Sequence, residues 1–194
     1  MDQTAEEILA FWFDEVGPEG WYEPPAGLDD DCRRRYAELW DQGRKGAHDS
    51  WAACARGSLA LMVLLDQLPR NMFRGEARAF ASDPEARKVA KRAIAWGHDR
   101  QVAEMERQFL YLPLEHSEAG ADQARSVRLF MTVEDPESLV HAVAHRNVIR
   151  RFGRFPTRNE ALGRVSTPEE RAYLDEGGYA SAVERARESL PRAA

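Results

Sequence analysis

Fifteen residues, His145-Arg146-Asn147-Val148-Ile149-Arg150-Arg151-Phe152-Gly153-Arg154-Phe155-Pro156-Thr157-Arg158-Asn159, hold five arginines and no carboxylate in a chain whose formal net charge is -6. Guanidinium forks match the geometry of carboxylates and phosphates, so such a run either neutralises acidic groups of its own fold or holds an anionic ligand. Arg146, Arg150, Arg154, Arg158 and Asn159 are its candidate ligand-binding residues. A second block, Leu64 to Gly75, ends a very apolar segment in Arg70, Asn71 and Arg74. Arg70 and Arg74 either satisfy free carbonyls at a helix end or pair with Asp66, or all three join the first block and His116 around one concave anion site.

A third block, Phe109 to Glu118, places Glu115 beside His116, the residue types of a general acid-base pair near neutral pH. Pro113 is predicted to end the helix before them and to leave the pair on an irregular turn. His141 and His145 lie four apart on one helical face, a spacing at which two imidazoles can share a metal ion, with Glu115 or His116 as third ligand. Position 142 is alanine where the zinc-protease signature carries its glutamate, so that peptidase mechanism lacks a base. No cofactor is expected.

Two functional classes follow. The leading one is a binding domain for an anionic small molecule or an acidic peptide. The alternative is a hydrolase or phosphoryl-transfer enzyme with His116 or His145 as general base, Glu115 as orienting partner and arginines stabilising developing charge. Ser117 is the one hydroxyl beside the Glu115-His116 pair, and no nucleophile elbow, Walker loop or Cys-His signature occurs.

The elements that must position these groups read as helices. Thr4 with Glu7 predicts a capping box, and Ile8, Leu9, Phe11, Trp12 and Val16 give a first helix stopping near Gly17-Pro18. A loop from Gly17 to Gly27 leads to a helix begun by Asp29 to Asp31 and reaching Gly43, with Tyr36 and Trp40 on its apolar face. Ser50 caps a core helix through Leu65, ended by Pro69 and Gly75. Asp83-Pro84 restarts a helix that Gly97 closes, and Asp99 to Tyr111 resumes it. Residues 121 to 133 read as helix with Val127, Phe130 and Met131 inward. Asp135-Pro136 opens the helix carrying both histidines, in which Val148, Ile149 and Phe152 are the buried stripe. Thr157 with Glu160, and Thr167 with Glu170, predict two further capped helices. Strand signals are nearly absent, so the fold class is all-α, built of stacked antiparallel helix hairpins.

A chain of 194 residues with 43% hydrophobic content predicts one helical domain over 1–178, with a charged C-terminal helix or tail over 179–194. Residues 1–31 hold ten carboxylates and no Lys or Arg, whereas 138–164 hold six arginines and one glutamate, so the two ends are expected to attract each other. The chain has 24 arginines and three lysines, which makes clustering more informative than the choice of Arg at any one site. A pI near 5.5 argues against nonspecific nucleic-acid binding. The acidic start lacks the basic region of a secretory signal, and the longest apolar run, Leu59 to Leu65, falls far short of the roughly 20 residues a membrane span needs. Cys32 and Cys54 read as two buried thiols of a cytoplasmic protein. Five tryptophans leave a homo-oligomer open.

Three ordered blocks, Leu65-Asp-Gln-Leu-Pro-Arg-Asn71, Tyr111-Leu-Pro-Leu-Glu-His-Ser-Glu118 and His145 to Asn159, resemble the bacterial domain of unknown function 924. Ile8 to Phe13 and Leu162 to Glu170 extend the resemblance over nearly the whole chain. It implies an all-helical fold similar to tetratricopeptide-repeat proteins, without their repeat consensus, and carries no set of catalytic residues.

Overall fold

Asp2, rather than Thr4, caps the first helix of the computed structural model, which describes residues 2–190. Its Oδ1 accepts from Thr4 N at 2.9 Å and opens α1 (Gln3–Leu9), while the expected box partner Glu7 takes the Gln3 amide at 3.1 Å. A carboxylate beside the free amides of a helix start also favours the helix dipole, which a hydroxyl does not. The helix widens into a π-helical stretch, Ala10–Val16, and at Gly17 (φ 66°) the chain turns without becoming a loop. It continues as α2 (Gly17–Tyr22), with Pro18 in the first turn, where a missing amide costs nothing.

In α3 (Leu28–Gly43) the three aspartates fill the first turn and Cys32, Tyr36 and Trp40 are buried, as the spacing predicts. The core helix starts later than Ser50 suggests: a 3-10 turn, Asp49–Ala53, comes first, and α4 (Ala55–Met62) follows with Gly57 to Met62 all buried.

Pro69 does not stop that run. A π-helical turn, Val63–Gln67, leads into α5 (Leu68–Met72), with Pro69 inside it. A proline removes an amide and crowds the carbonyl four residues back, here Leu65. The Leu65 carbonyl instead accepts the Ser82 hydroxyl at 2.6 Å, and Ser82 Oγ in turn accepts from Trp40 Nε1 at 2.8 Å. Arg70 Nη1 donates to the next carbonyl, Asp66 O, at 2.5 Å.

Ser82 precedes α6 (Asp83–Ala95), and Gly97 in the left-handed region (φ 71°) follows it. A 3-10 turn at His98–Arg100 separates it from α7 (Glu104–Glu115). Pro113 lies within α7, contrary to the sequence reading. Phe109, Leu110, Tyr111 and Leu114 are buried on both sides of it, and burying such side chains contributes about 1.5–3 kcal/mol each, against about 3 kcal/mol for an interior proline. Glu115 is thereby held on the last helical turn.

The chain divides into two compact units, Met1–Pro113 and Leu114–Ala194. In the first, α4 packs against α1 and α6, and α3 against α5. In the second, α9 (Pro136–Phe152) packs against α8 (Gly120–Phe130) and against α11 (Gly178–Ser189), with α10 (Pro168–Asp175) beside α11. Asp135 caps α9 through the Glu137 and Ser138 amides, and the Thr167–Glu170 capping box opens α10.

Thr157 starts no helix. Pro156–Arg158 forms a single 3-10 turn, the Asn159 carbonyl accepts from Arg164 N at 2.7 Å, and Gly163 (φ 63°) completes a fold-back that a continuing helix would forbid. Met131 is 68% exposed rather than inward, and Cys54 is exposed while Cys32 is buried. Residues 191–194, the end of the expected charged tail, lie outside the described residues. Among the described residues there is no strand, so the fold is all-α, and no helix is long and apolar enough to cross a membrane.

Candidate functional site

In the second unit the last turn of α7, the middle of α9 and the start of α11 bring Glu115, His145, His141 and Tyr179 together. Glu115 is 3% exposed, and its Oε1 lies 3.0 Å from His145 Nδ1. The same nitrogen is 3.0 Å from His141 O and 3.0 Å from the Tyr179 hydroxyl. A carbonyl can only accept, so His145 carries its proton on Nδ1. The Tyr179 hydroxyl lies 2.7 Å from His141 Nδ1 and can donate there. Burial pushes His141 below its ordinary value, and His145 adds to that shift while Glu115 opposes it, consistent with a neutral, accepting His141.

Glu115 Oε2 is buried and has no hydrogen-bond partner. His116 stands edge-on to His145, with ring centroids 6.0 Å apart, and Phe155 flanks His145 on another side at 5.4 Å. Glu115, His116 and His145 each offer a donor atom within 4.8 Å of the others. The imidazole in contact with the Glu115 carboxylate is thus that of His145, thirty positions on in the chain. Ser117 is buried and its hydroxyl donates to Asp122 at 2.9 Å, not to Glu115 or a histidine.

A second constellation lies between α8 and α9. Arg128, Arg146 and Arg150 line a groove of about 540 Å³ whose rim includes Met131 and whose wall includes Ile149. Among the described residues no carboxylate lies within ion-pair distance of any of these arginines. Glu118 also lines the groove, but Arg164 holds it at 2.8 and 3.0 Å and Phe155 N donates to it at 2.9 Å. Arg146 Nε is buried with no partner, and burial, with the like charge of Arg150 one helical turn away, pushes its guanidinium below the ordinary value.

The other arginines of the block are engaged by partners within the same unit. Arg154 grips the buried Glu170 with two bonds of 2.6 and 2.8 Å, and Asn159 Nδ2 donates to the same carboxylate and to Ser166 Oγ. Arg158 donates to His116 O at 3.0 Å and stacks on Phe155. Arg151 pairs with Glu169. The Arg154 bonds outweigh burial and, with the Thr167 amide and Asn159, hold the Glu170 carboxyl down at about 2.

A carboxyl held below its ordinary 4.5 stabilises the native state fully above that pH, and the contribution is lost as pH falls toward about 2. Melting temperature recorded down this range should drop less steeply in Glu170→Gln than in the wild type. Parallel curves would show that Glu170 is not a source of the acid sensitivity.

The sequence profile described as bacterial protein of unknown function, DUF924, matches residues 8–178. The chain belongs to the DUF924 family. Among solved structures, the DUF924 chain is similar to a protein of unknown function, ATU0120, from Agrobacterium tumefaciens. The two are 44% identical with a TM-score of 0.85, over 90% of this chain and 98% of that one. No functionally curated protein is similar in sequence.

In the first unit of the DUF924 chain the remaining candidates are engaged by carboxylates. Arg70 Nη2 lies 3.3 Å from Asp66 and 3.2 Å from Asp83, while Asn71 and Arg74 both hold Asp29. The acidic N-terminal stretch is neutralised within the same unit, by Arg56 on Glu6 and Arg35 on Glu15, and the paired arginines of 138–164 find Glu118, Glu169 and Glu170 within theirs. Two residues escaped sequence reasoning. Tyr179 sits where a frayed tail was an option, and Arg128 is one of 24 arginines with no local signal to single it out.

Proposed function

We propose that this DUF924 protein is a binding domain whose second unit takes a small organic anion, phosphate- or carboxylate-bearing, in the groove between α8 and α9. The observation that carries the reading is the convergence of Arg128, Arg146 and Arg150 on one concave surface without counter-ions. Like charges one helical turn apart repel, and an anion between them converts that cost into charge-assisted hydrogen bonds. A volume of about 540 Å³ suits a metabolite-sized ligand better than an extended acidic peptide. The exposed Met131 on the rim favours a ligand with an apolar portion beside its charge. Two free cysteines, one of them exposed, suit a reducing compartment and support a cytoplasmic setting.

Thermal unfolding in the presence of inorganic phosphate, phosphorylated metabolites and organic acids tests the reading. A ligand at one hundred times its dissociation constant should add about 2.7 kcal/mol to the native state. Arg150→Ala, at an exposed position, should melt like the wild type without ligand and bind about 10- to 100-fold more weakly, the loss of one hydrogen bond to a charged group. Equal ligand shifts in the wild type and in an Arg146→Ala/Arg150→Ala double variant, or no shift with any anion, would remove the proposal.

A further inference from the structure

A second ligand class is written into the buried end of α7, independently of the arginine groove. We infer that Glu115, His116 and His145 form a three-ligand site for a divalent first-row transition ion. Donor atoms held about 2.0–2.2 Å from one tetrahedral ion lie roughly 3.3 Å from each other. Glu115 Oε1 and His145 Nδ1 are 3.0 Å apart, and a His116 nitrogen completes a set in which every separation is within 4.8 Å. Small side-chain adjustments bring such a set onto one ion.

Proximity alone would also describe a hydrogen-bonded pair. Two features favour a cation. Glu115 Oε2 is buried without a donor, and an uncompensated buried carboxylate oxygen is costly. Three oxygens, from Glu115, His141 and Tyr179, crowd within 3.0 Å of a nitrogen that offers one proton at most. A metal ion compensates the carboxylate charge and replaces that proton. The exchange balances without oxidant or base, because the ring proton moves from Nδ1 to Nε2 and the imidazole stays neutral.

Two imidazoles and one carboxylate suit zinc, cobalt or iron(II) rather than magnesium or calcium, which prefer oxygen donors. Three protein ligands leave at least one position for water or for a ligand's own donor atom, the arrangement of reactive rather than purely structural ions.

The test uses full-length protein without a polyhistidine tag, stripped with a chelator and dialysed against Zn²⁺ or Co²⁺. Elemental analysis should return one ion per chain, and Co²⁺ should give the visible absorption of a low-coordinate site. Outer-shell changes commonly weaken metal sites about 10- to 100-fold, so His116→Ala and His145→Ala, which remove ligands, should each weaken binding more than about 100-fold. His48→Ala, in the other unit, should bind as the wild type does. Glu115→Gln keeps the shape and removes the charge, and should lose the ion while retaining wild-type helicity. Should Glu115→Gln fold poorly, the half-buried His116→Ala decides. A wild type that retains no stoichiometric ion, or one that His116→Ala and His145→Ala retain equally well, overturns the inference.

Discussion

Gly57→Ala should destabilise the protein by about 3 kcal/mol or more, although alanine is the better helix former by about 1 kcal/mol. Gly57 lies in α4, where an added Cβ would stand 2.0 Å from the Trp51 carbonyl oxygen and 2.7 Å from its carbon. Both are backbone atoms of the 3-10 turn before the helix, so no rotamer change relieves the overlap. The turn must move away from α4, and with it Trp51 and Ala52, both buried. For a chain of this size each kcal/mol shifts the melting temperature by roughly 2–4 °C, so circular dichroism should show a fall of about 6 °C or more. Gly120→Ala is the matched control, because nothing lies within 4 Å of its added carbon. A Gly57→Ala protein melting with the wild type would mean that the turn is not seated on α4 as described.

Arg70→Ala should cost about 3 kcal/mol by urea unfolding, near the lower end of what breaking a buried ion pair costs. Asp66 is fully buried, Asp83 nearly so, and Arg70 lies between them. Burial alone would lower the guanidinium's value, but the two carboxylates reverse that and raise it above the ordinary one. The same side chain bonds the Asp66 carbonyl in the turn around Pro69, so its loss also opens the helix junction. An Arg70 that merely awaited a ligand would leave stability unchanged on truncation and would weaken anion binding instead. The structural role predicts the opposite pattern, a clear loss of stability with groove affinity intact in whatever fraction remains folded.

Helix boundaries set by local signals are legible in the chain, and those set by distant partners are not. The start of helix α9 was legible, because Asp135-Pro136 is a local signal acting within a turn of the backbone it governs. The capping box at Thr167 was legible for the same reason. The two prolines misled because their consequences are settled far away: whether Pro69 ends a helix depends on a hydroxyl at Ser82, and whether Pro113 does depends on the burial of its flanking residues. Thr157 carried a valid capping pattern, but Asn159 and Gly163 commit the backbone to a fold-back first.

The same division runs through the candidate site. A separation of four residues puts Arg146 and Arg150 on one face of α9, where the groove is. It could not separate them from Arg154 and Arg158, because the partners Glu170 and the His116 carbonyl are brought up by turns whose geometry is not periodic. Neighbours in sequence suggested Glu115 with His116, whereas a ring of α9 lies 3.0 Å from the carboxylate, a pairing that only tertiary packing reveals.

The Ser82 hydroxyl ties three segments that propensity would treat as separate: the indole of α3, the widened turn after α4, and the start of α6. Removing any one leaves a buried donor or acceptor on another, so none can open without exposing unpaired groups on its neighbours. The stretch from the core helix to the end of α6 therefore opens as one cooperative block and not helix by helix. A proline that would ordinarily punctuate the chain has become the reason its two sides melt together.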